Sequence, residues 1–319
     1  MSFALMVLVL GLTLLVFSAD WFIEGSAATA AHLGIPPLLI GLVIIGFGSS
    51  APEMLISAQA ALQNNPNLAL GNAVGSNITN IALILGLTAL IKPITISDQI
   101  LRRELPIFVL ISSTSFLLIA IDQRLQFTDG IILMIGFAVA MAWMIFAGIR
   151  EKPRLTTPSE AQKYPLLASI TLMLLGFLLL LGSSRAIVWS ASEIAQAFGI
   201  SDLIIGLTIV AVGTSLPELA ATITAVRKSL YDLALGNIIG SNIFNGSIVI
   251  AITGLISPTP VEPELIYRDL PVMLFLTISL FVMGTRIISI SPGIISRKEG
   301  FIFVLIYVCY NGFLASTLL

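Results

Sequence analysis

Charge is scarce in this chain. Asp, Glu, Lys and Arg make up 10% of its 319 residues, against roughly 25% in an ordinary soluble domain, and that shortage excludes a surface solvated on all sides. Cysteine is scarcer still: Cys309 is the only one, so no intrachain disulfide can form and the redox compartment is left open. Cys309 falls in the last apolar segment, where a packing role is expected. The only histidine, His32, closes the first apolar segment and is expected to be solvated. Its distance from Ser50 and Ser215 argues against a buried serine hydrolase, and no other nucleophile and base pair suggests an enzyme. Gly46-Phe47-Gly48 lies inside an apolar segment and lacks the lysine of a phosphate-binding loop, which excludes a nucleotide site. The net charge of −2 gives no reason to expect a nucleic-acid partner.

What is abundant is apolar length. Hydrophobic residues make up 57% of the chain and mean hydropathy is +1.05. Apolar segments run over 3–31, 36–63, 68–91, 104–121, 127–149, 165–197, 203–227, 233–256, 267–286 and 300–318, most of them near or above the ~20 residues that cross a bilayer as a helix. The expected fold is therefore an all-α integral membrane protein of ten transmembrane helices. Leu5 to Phe17 has no basic residue before it and continues past Trp21, so it reads as an uncleaved first span and not as a signal peptide. With the N-terminus outside, the cytoplasmic ends hold Lys92, Arg102, Arg103, Arg150, Lys152, Arg154, Lys163, Arg227, Lys228, Arg286, Arg297 and Lys298. The opposite side holds only Arg124 and Arg268, a strong positive-inside bias.

The one substantial polar linker covers 151–164 and separates a first five-helix repeat, 1–150, from a second, 165–319. Because five is odd, the second half enters the membrane from the other side. The two are inverted repeats, a plan that in secondary transporters puts substrate sites near the midplane.

A duplication supports that plan. Gly48-Ser49-Ser50-Ala51-Pro52-Glu53 recurs as Gly213-Thr214-Ser215-Leu216-Pro217-Glu218, and Gly71-Asn72-Ala73-Val74-Gly75-Ser76-Asn77-Ile78-Thr79-Asn80 recurs as Gly236-Asn237-Ile238-Ile239-Gly240-Ser241-Asn242-Ile243-Phe244-Asn245, both at a shift of 165 (218 − 53 and 245 − 80). Counted from the turns near Asn64 and Ser229, Glu53, Asn80, Glu218 and Asn245 fall roughly 17–20 Å deep at ~1.5 Å per residue. Glycine and proline weaken the helices at both copies and free backbone carbonyls, which at membrane depth are tolerated only against protein or a water-filled cavity. An ionised glutamate there costs at least ~2.5 kcal/mol, and no lysine or arginine lies at comparable depth to offset it. A bound cation is the simplest answer. Ser49, Ser50, Thr214, Ser215, Ser76, Ser241, Asn80 and Asn245 add hard oxygen ligands suited to Ca²⁺ or Na⁺. The glycines Gly71, Gly75, Gly236 and Gly240 can equally be explained by close helix packing.

These segments resemble the α-repeats of the cation/calcium exchanger superfamily, over about 36–91 and 201–256, and the whole chain looks like a prokaryotic sodium/calcium exchanger. The resemblance implies that Glu53 and Glu218 bind both Ca²⁺ and Na⁺. It also implies that Ser49, Ser50, Thr214 and Ser215, carbonyls at Gly46 and Ala211, and Ser76, Asn80 and Ser241 complete the sites. It implies further that the long first and sixth helices slide across the other eight. One position departs from a common family pattern: some relatives carry aspartate where this chain has Asn245, so a third Na⁺ has no acid of its own. Asp20 and Arg185 occupy equivalent positions on the first and sixth helices (185 − 20 = 165). Inverted symmetry puts them on opposite sides, so interfacial roles are expected in place of a mutual pair.

The expectation is a Ca²⁺/Na⁺ antiporter of a prokaryotic cytoplasmic (inner) membrane, working as a single chain in the lipid bilayer. It would have no resident cofactor and would bind Ca²⁺ and Na⁺ as substrates. Ca²⁺/H⁺ exchange is the first alternative, since two glutamates can carry two protons for one Ca²⁺. A passive cation channel fits less well, because the acids stand at one depth in inverted copies and not as a ring. The short linker leaves no room for the large cytoplasmic regulatory domain of animal relatives.

Overall fold

The computed structural model describes residues 2–150, 164–198, 211–285 and 293–318, and these are almost entirely helical. In chain order the helices are α1 (Ser2–Leu33), α2 (Pro37–Ser49), α3 (Ala51–Leu62), α4 (Pro66–Ile91), α5 (Ile100–Asp122), α6 (Phe127–Arg150), α7 (Leu166–Ala197), α8 (Ala211–Thr214), α9 (Leu216–Arg227), α10 (Tyr231–Ile256), α11 (Leu265–Gly284) and α12 (Arg297–Leu318). Among the described residues, eight helices are long and apolar enough to cross a membrane, or nine if α2 and α3 form one broken span. The remaining expected span, 203–227, begins outside the described residues and continues as α8 and α9. Most of the linker, 151–163, also lies outside them.

The repeat is visible in local backbone as well as in sequence. α3 and α9 each restart after a single non-helical residue, Ser50 or Ser215, with proline in the first turn where a missing N–H costs nothing. Two residues past the end of each lies a residue in the left-handed region, Asn64 (φ 58°) or Ser229 (φ 63°), again 165 apart. Wider π-type turns interrupt α4 at Thr79–Leu85 and α10 at Asn245–Val249. They also open α5 at Ile100–Glu104 and α11 at Leu265–Asp269. Such insertions expose backbone carbonyls and concentrate at functional sites.

The chain divides into two compact units. The first, residues 1–49 and 148–237, is built on α1 and α7 packed along each other. Each is 32 residues, or ~48 Å at 1.5 Å per residue, well beyond a hydrocarbon core of ~30 Å. Glycine sets their separation: a Cβ on Gly25 would sit 2.3 Å from the Met173 nitrogen, and one on Gly176 would sit 2.4 Å from that of Phe22. Packing also explains Gly236, where a Cβ would meet the Leu38 carbonyl at 2.6 Å. At the end of α9, Lys228 bonds Glu24 at 2.8 Å and Asp20 at 3.2 Å on α1. Asp20 thus has an ion-pair partner on α9, and Arg185 is exposed. Burial disfavours the Lys228 charge, but the bonds to Glu24 and Asp20 outweigh it and hold the ammonium above the ordinary lysine range. His32 is exposed, with Nε2 2.6 Å from the Tyr164 carbonyl.

The second unit, residues 50–147 and 238–319, contains α3, α4, α5, α11, α12 and most of α6. Two short antiparallel ladders pin its ends: β1 (Ile94–Thr95) pairs with β4 (Ile294–Ile295), and β2 (Arg124–Leu125) with β3 (Thr259–Pro260). An arginine beside an acid opens the second-unit helix in each repeat, Arg103 with Glu104 and Arg268 with Asp269. The motif-bearing helices are the interior ones: 67% of the apolar window of α4 and 83% of that of α10 are buried, against 11% for α12. That exposure corrects one expectation. Cys309 is exposed on α12.

Candidate functional site

In the second unit the helix break does three things at once. Ser50 interrupts the helix, Pro52 removes a donor, and Glu53 is carried into the first turn of α3, where the positive end of the helix dipole favours a carboxylate. The first intrahelical bond of this start runs from the Met54 N–H to the Ser50 carbonyl at 3.1 Å. Glu53 and Ser50 are both completely buried. α3 packs against α4 and against the π-turn of α10 that begins at Asn245. Those neighbours bring Ser76 and Asn80 on α4, and Ser241 and Asn245 on α10, all buried. The Ser50 hydroxyl and both polar atoms of the Asn80 and Asn245 carboxamides have no hydrogen-bond partner among the described residues. A buried amide left that way costs about 1–3 kcal/mol.

The first unit repeats the pattern. Thr214 ends α8, Ser215 breaks the chain, and Glu218 stands in the first turn of α9 after Pro217. The Leu219 N–H reaches the Ser215 carbonyl at 3.0 Å. Glu218 and Ser215 are buried, Thr214 is half-buried, and the Ser215 hydroxyl has no hydrogen-bond partner among the described residues. α9 packs on Gly46–Ser49 of α2, so Ser49 and Gly46, both buried, lie against the Glu218 helix. Ala211 opens α8; its side chain lies outside the described residues. Thus each unit holds one glutamate with its own hydroxyls. Among the described residues no three His, Cys, Asp or Glu side chains cluster, so a cation in either unit would need neutral oxygens as well as the acid.

The structure adds residues that motif reading passed over. Asn72 Nδ2 donates to the Glu53 carbonyl at 3.2 Å and to Ser57 Oγ at 2.9 Å. In the other repeat Asn237 Nδ2 donates to the Glu218 carbonyl at 3.4 Å and to Thr222 Oγ1 at 2.9 Å. The same three-residue clamp therefore holds the backbone of each glutamate. Ser184 of α7 donates to the Gly213 carbonyl at 2.8 Å, satisfying an oxygen beside the second break. The signal for the clamps was present: Asn72 and Asn237 belong to the duplicated block, and Ser57 and Thr222 keep a hydroxyl at the same shift of 165. Asn77 and Asn245, which match glycosylation patterns, are fully buried.

Comparison with known proteins bears on what this arrangement serves. A model of the family described as "Sodium/calcium exchanger protein" matches residues 3–146 and 168–315. Inner membrane protein YrbG of Escherichia coli is 40% identical, over 90% of this chain and 90% of that protein. Sodium/calcium exchanger MaX1 of Methanosarcina acetivorans is 29% identical, over 96% of each. A structure of the sodium-calcium exchanger NCX_Mj soaked with Na⁺ and no Ca²⁺ superposes with a TM-score of 0.85 at 30% identity, covering 97% of this chain and 98% of that one.

Proposed function

The chain belongs to the sodium/calcium exchanger family, and from that premise we propose that it extrudes Ca²⁺ in exchange for Na⁺ at a midplane site built around Glu53 and Glu218. The observation that carries the reading is the repeated one. Two buried glutamates each stand in the first turn of a helix restarted after a serine, and buried hydroxyls or amides without a hydrogen-bond partner among the described residues occupy the motif positions Ser50, Asn80, Ser215 and Asn245. In this reading Glu53 and Glu218 supply the charge that matches one divalent ion. Ser49, Ser50, Thr214, Ser215, Ser76, Ser241, Asn80 and Asn245, with carbonyls at Gly46 and Ala211, replace its water. All bind substrate; none holds a resident cofactor.

Exchange, as opposed to leak, follows from charge. Each ionised carboxylate at the bilayer centre costs at least ~2.5 kcal/mol on insertion scales, so a site emptied of cations crosses slowly and one ion leaves efficiently only when another replaces it. We further propose ten spans in two inverted halves, 1–150 and 165–319, with the N-terminus outside a prokaryotic inner membrane and one chain as the working unit. Vesicles separate the counter-ions. Ca²⁺ uptake driven by an outward Na⁺ gradient at clamped pH is the expected result. Uptake indifferent to Na⁺ but driven by a pH gradient would replace this reading with Ca²⁺/H⁺ exchange, and conductance without any counter-ion would replace it with a channel.

A further inference from the structure

A π-turn takes backbone carbonyls out of the ordinary helical ladder, so what holds those carbonyls decides where the side chains beside them point. In α10 the π-turn begins at Asn245, whose carboxamide is buried and has no hydrogen-bond partner among the described residues. Its direction is therefore set by its backbone and by packing. Two helices of the second unit, α4 and α5, pack on that turn, and each sends one side chain to a carbonyl near Asn245. From α4, Asn77 Nδ2 donates to the Asn242 carbonyl at 3.2 Å and lies 3.5 Å from the Met273 sulfur. From α5, the Ser115 hydroxyl lies between the Ile111 carbonyl of its own helix, at 2.9 Å, and the Gly246 carbonyl of α10, the nearer of the two. Asn77 and Ser115 are completely buried. The backbone three residues before Asn245 and the backbone just after it are thus each tied to a different neighbouring helix.

Gly246 leaves room for the contact from α4: a Cβ there would stand 3.3 Å from Asn77 Nδ2, closer than ordinary van der Waals contact. The first repeat is built differently. At the shift of 165, Gly246 corresponds to Ile81 and Ser115 to Leu280. Asn242, the counterpart of Asn77, donates to the Ile238 carbonyl of its own helix at 2.7 Å. We propose that Asn77 and Ser115 are positioning residues for ion exchange, acting through Asn245. By holding the carbonyls of Asn242 and Gly246 they fix the turn from which the Asn245 carboxamide reaches the cation, and neither needs to touch the ion. This inference rests on the cation site proposed above. It goes further by making Asn80 and Asn245, identical in type and in motif position, unequal as ligands: Asn245 is braced from two helices, and Asn80 lacks the equivalents of Gly246 and Ser115.

The test is a double-mutant cycle read by Ca²⁺ calorimetry on the purified full-length protein and by the Na⁺ dependence of exchange in vesicles. Loss of a group that orients a metal ligand typically lowers metal affinity about 10–100-fold. Ser115→Ala and Asn77→Ala are each expected to weaken Ca²⁺ binding by about the smaller of those factors. Each should raise the half-saturating Na⁺ concentration more than it lowers the maximal rate, a split that mere loss of folded protein does not produce. Asn242→Ala removes only a bond within α10 and should cost less than Asn77→Ala. In an Asn245→Ala background Ser115→Ala should cost less than about two-fold, because residues that act through one another are not additive. Where Asn77→Ala fails to fold, Ser115→Ala, which deletes a single oxygen, carries the test alone. Parental affinity in Ser115→Ala, equal losses in Asn242→Ala and Asn77→Ala, or equal effects of Ser115→Ala in both backgrounds would overturn the inference. Asn245→Ala by itself keeps the two ideas apart: parental Ca²⁺ affinity there removes Asn245 from the proposed site and the brace with it, whereas weakened binding there with an additive Ser115→Ala defeats only the brace.

Discussion

Glu218→Gln tests the charge argument from two directions. Glutamine keeps the shape of the side chain and one ligating oxygen, and removes one of two formal charges from a position 1% exposed. Removing the carboxylate from a buried carboxylate–cation pair leaves the cation charge uncompensated, which costs about 3–5 kcal/mol in a buried ion pair. At about 1.4 kcal/mol per decade, Ca²⁺ affinity should fall roughly two to three and a half decades, enough to abolish exchange at concentrations that saturate the parent. Stability should move the other way. Without Ca²⁺ the parent must hold an acid in a low-dielectric interior, and the amide need not, so the variant should unfold at the same temperature or higher. Adding Ca²⁺ at about a hundred times its Kd stabilises the parent by ~2.7 kcal/mol and should leave the variant unmoved. Thermal unfolding of purified protein with and without Ca²⁺, beside flux in vesicles, reads both effects. Near-parental exchange, or a Ca²⁺-dependent rise in unfolding temperature as large as the parent's, would refute the reasoning; so would a variant less stable than the parent in Ca²⁺-free buffer.

Asn245→Asp places a third acid in the buried surroundings of the α10 π-turn, where like charges and desolvation both favour its protonated form. Exchange by this variant should become slower at acid pH than at neutral pH, and an unchanged pH profile would show that residue 245 does not face the site. Gly25→Leu should disrupt the α1–α7 seam, since even a Cβ meets the Met173 backbone at 2.3 Å; a loss of at least ~1–3 kcal/mol is expected in unfolding experiments, against little effect of a leucine at the open Gly136. Lys228→Gln should cost less than about 1 kcal/mol, because its ion pairs with Asp20 and Glu24 are partly exposed and screened. The Lys228 ammonium is held above its ordinary value of 10.5. Its contribution is therefore complete below that pH and lost only as pH climbs through the raised value, so changes in exchange near neutrality should persist in Lys228→Gln.

Much of the candidate site was legible before any coordinates. A duplicated acid within an apolar stretch is a cost that needs an offset, and the shift of 165 ties Glu53 to Glu218 and Asn80 to Asn245 without reference to packing. The helix breaks were equally readable, because proline and serine act on their own backbone. The recurrence of the clamp residues was readable too, but what they bond was not. That Asn72 and Asn237 hold the glutamate carbonyls depends on side chains 15 and 19 positions apart meeting across two helices, and no local pattern encodes that meeting. The exposure of Cys309 was likewise invisible, since the residues around it in α12 show no one-sided apolar stripe and only packing chooses the buried side.

Sequence by itself determined the membrane-spanning character, the duplication, the helix interruptions and the residue types of the candidate site, because hydropathy, proline geometry and the cost of buried charge are properties of short segments. Tertiary structure alone decided which buried polar atoms lack a partner among the described residues, which way the Asn237 amide points and that Asp20 meets Lys228. Those outcomes depend on distances between segments far apart in the chain, and a hydrogen bond is made or lost over less than an ångström.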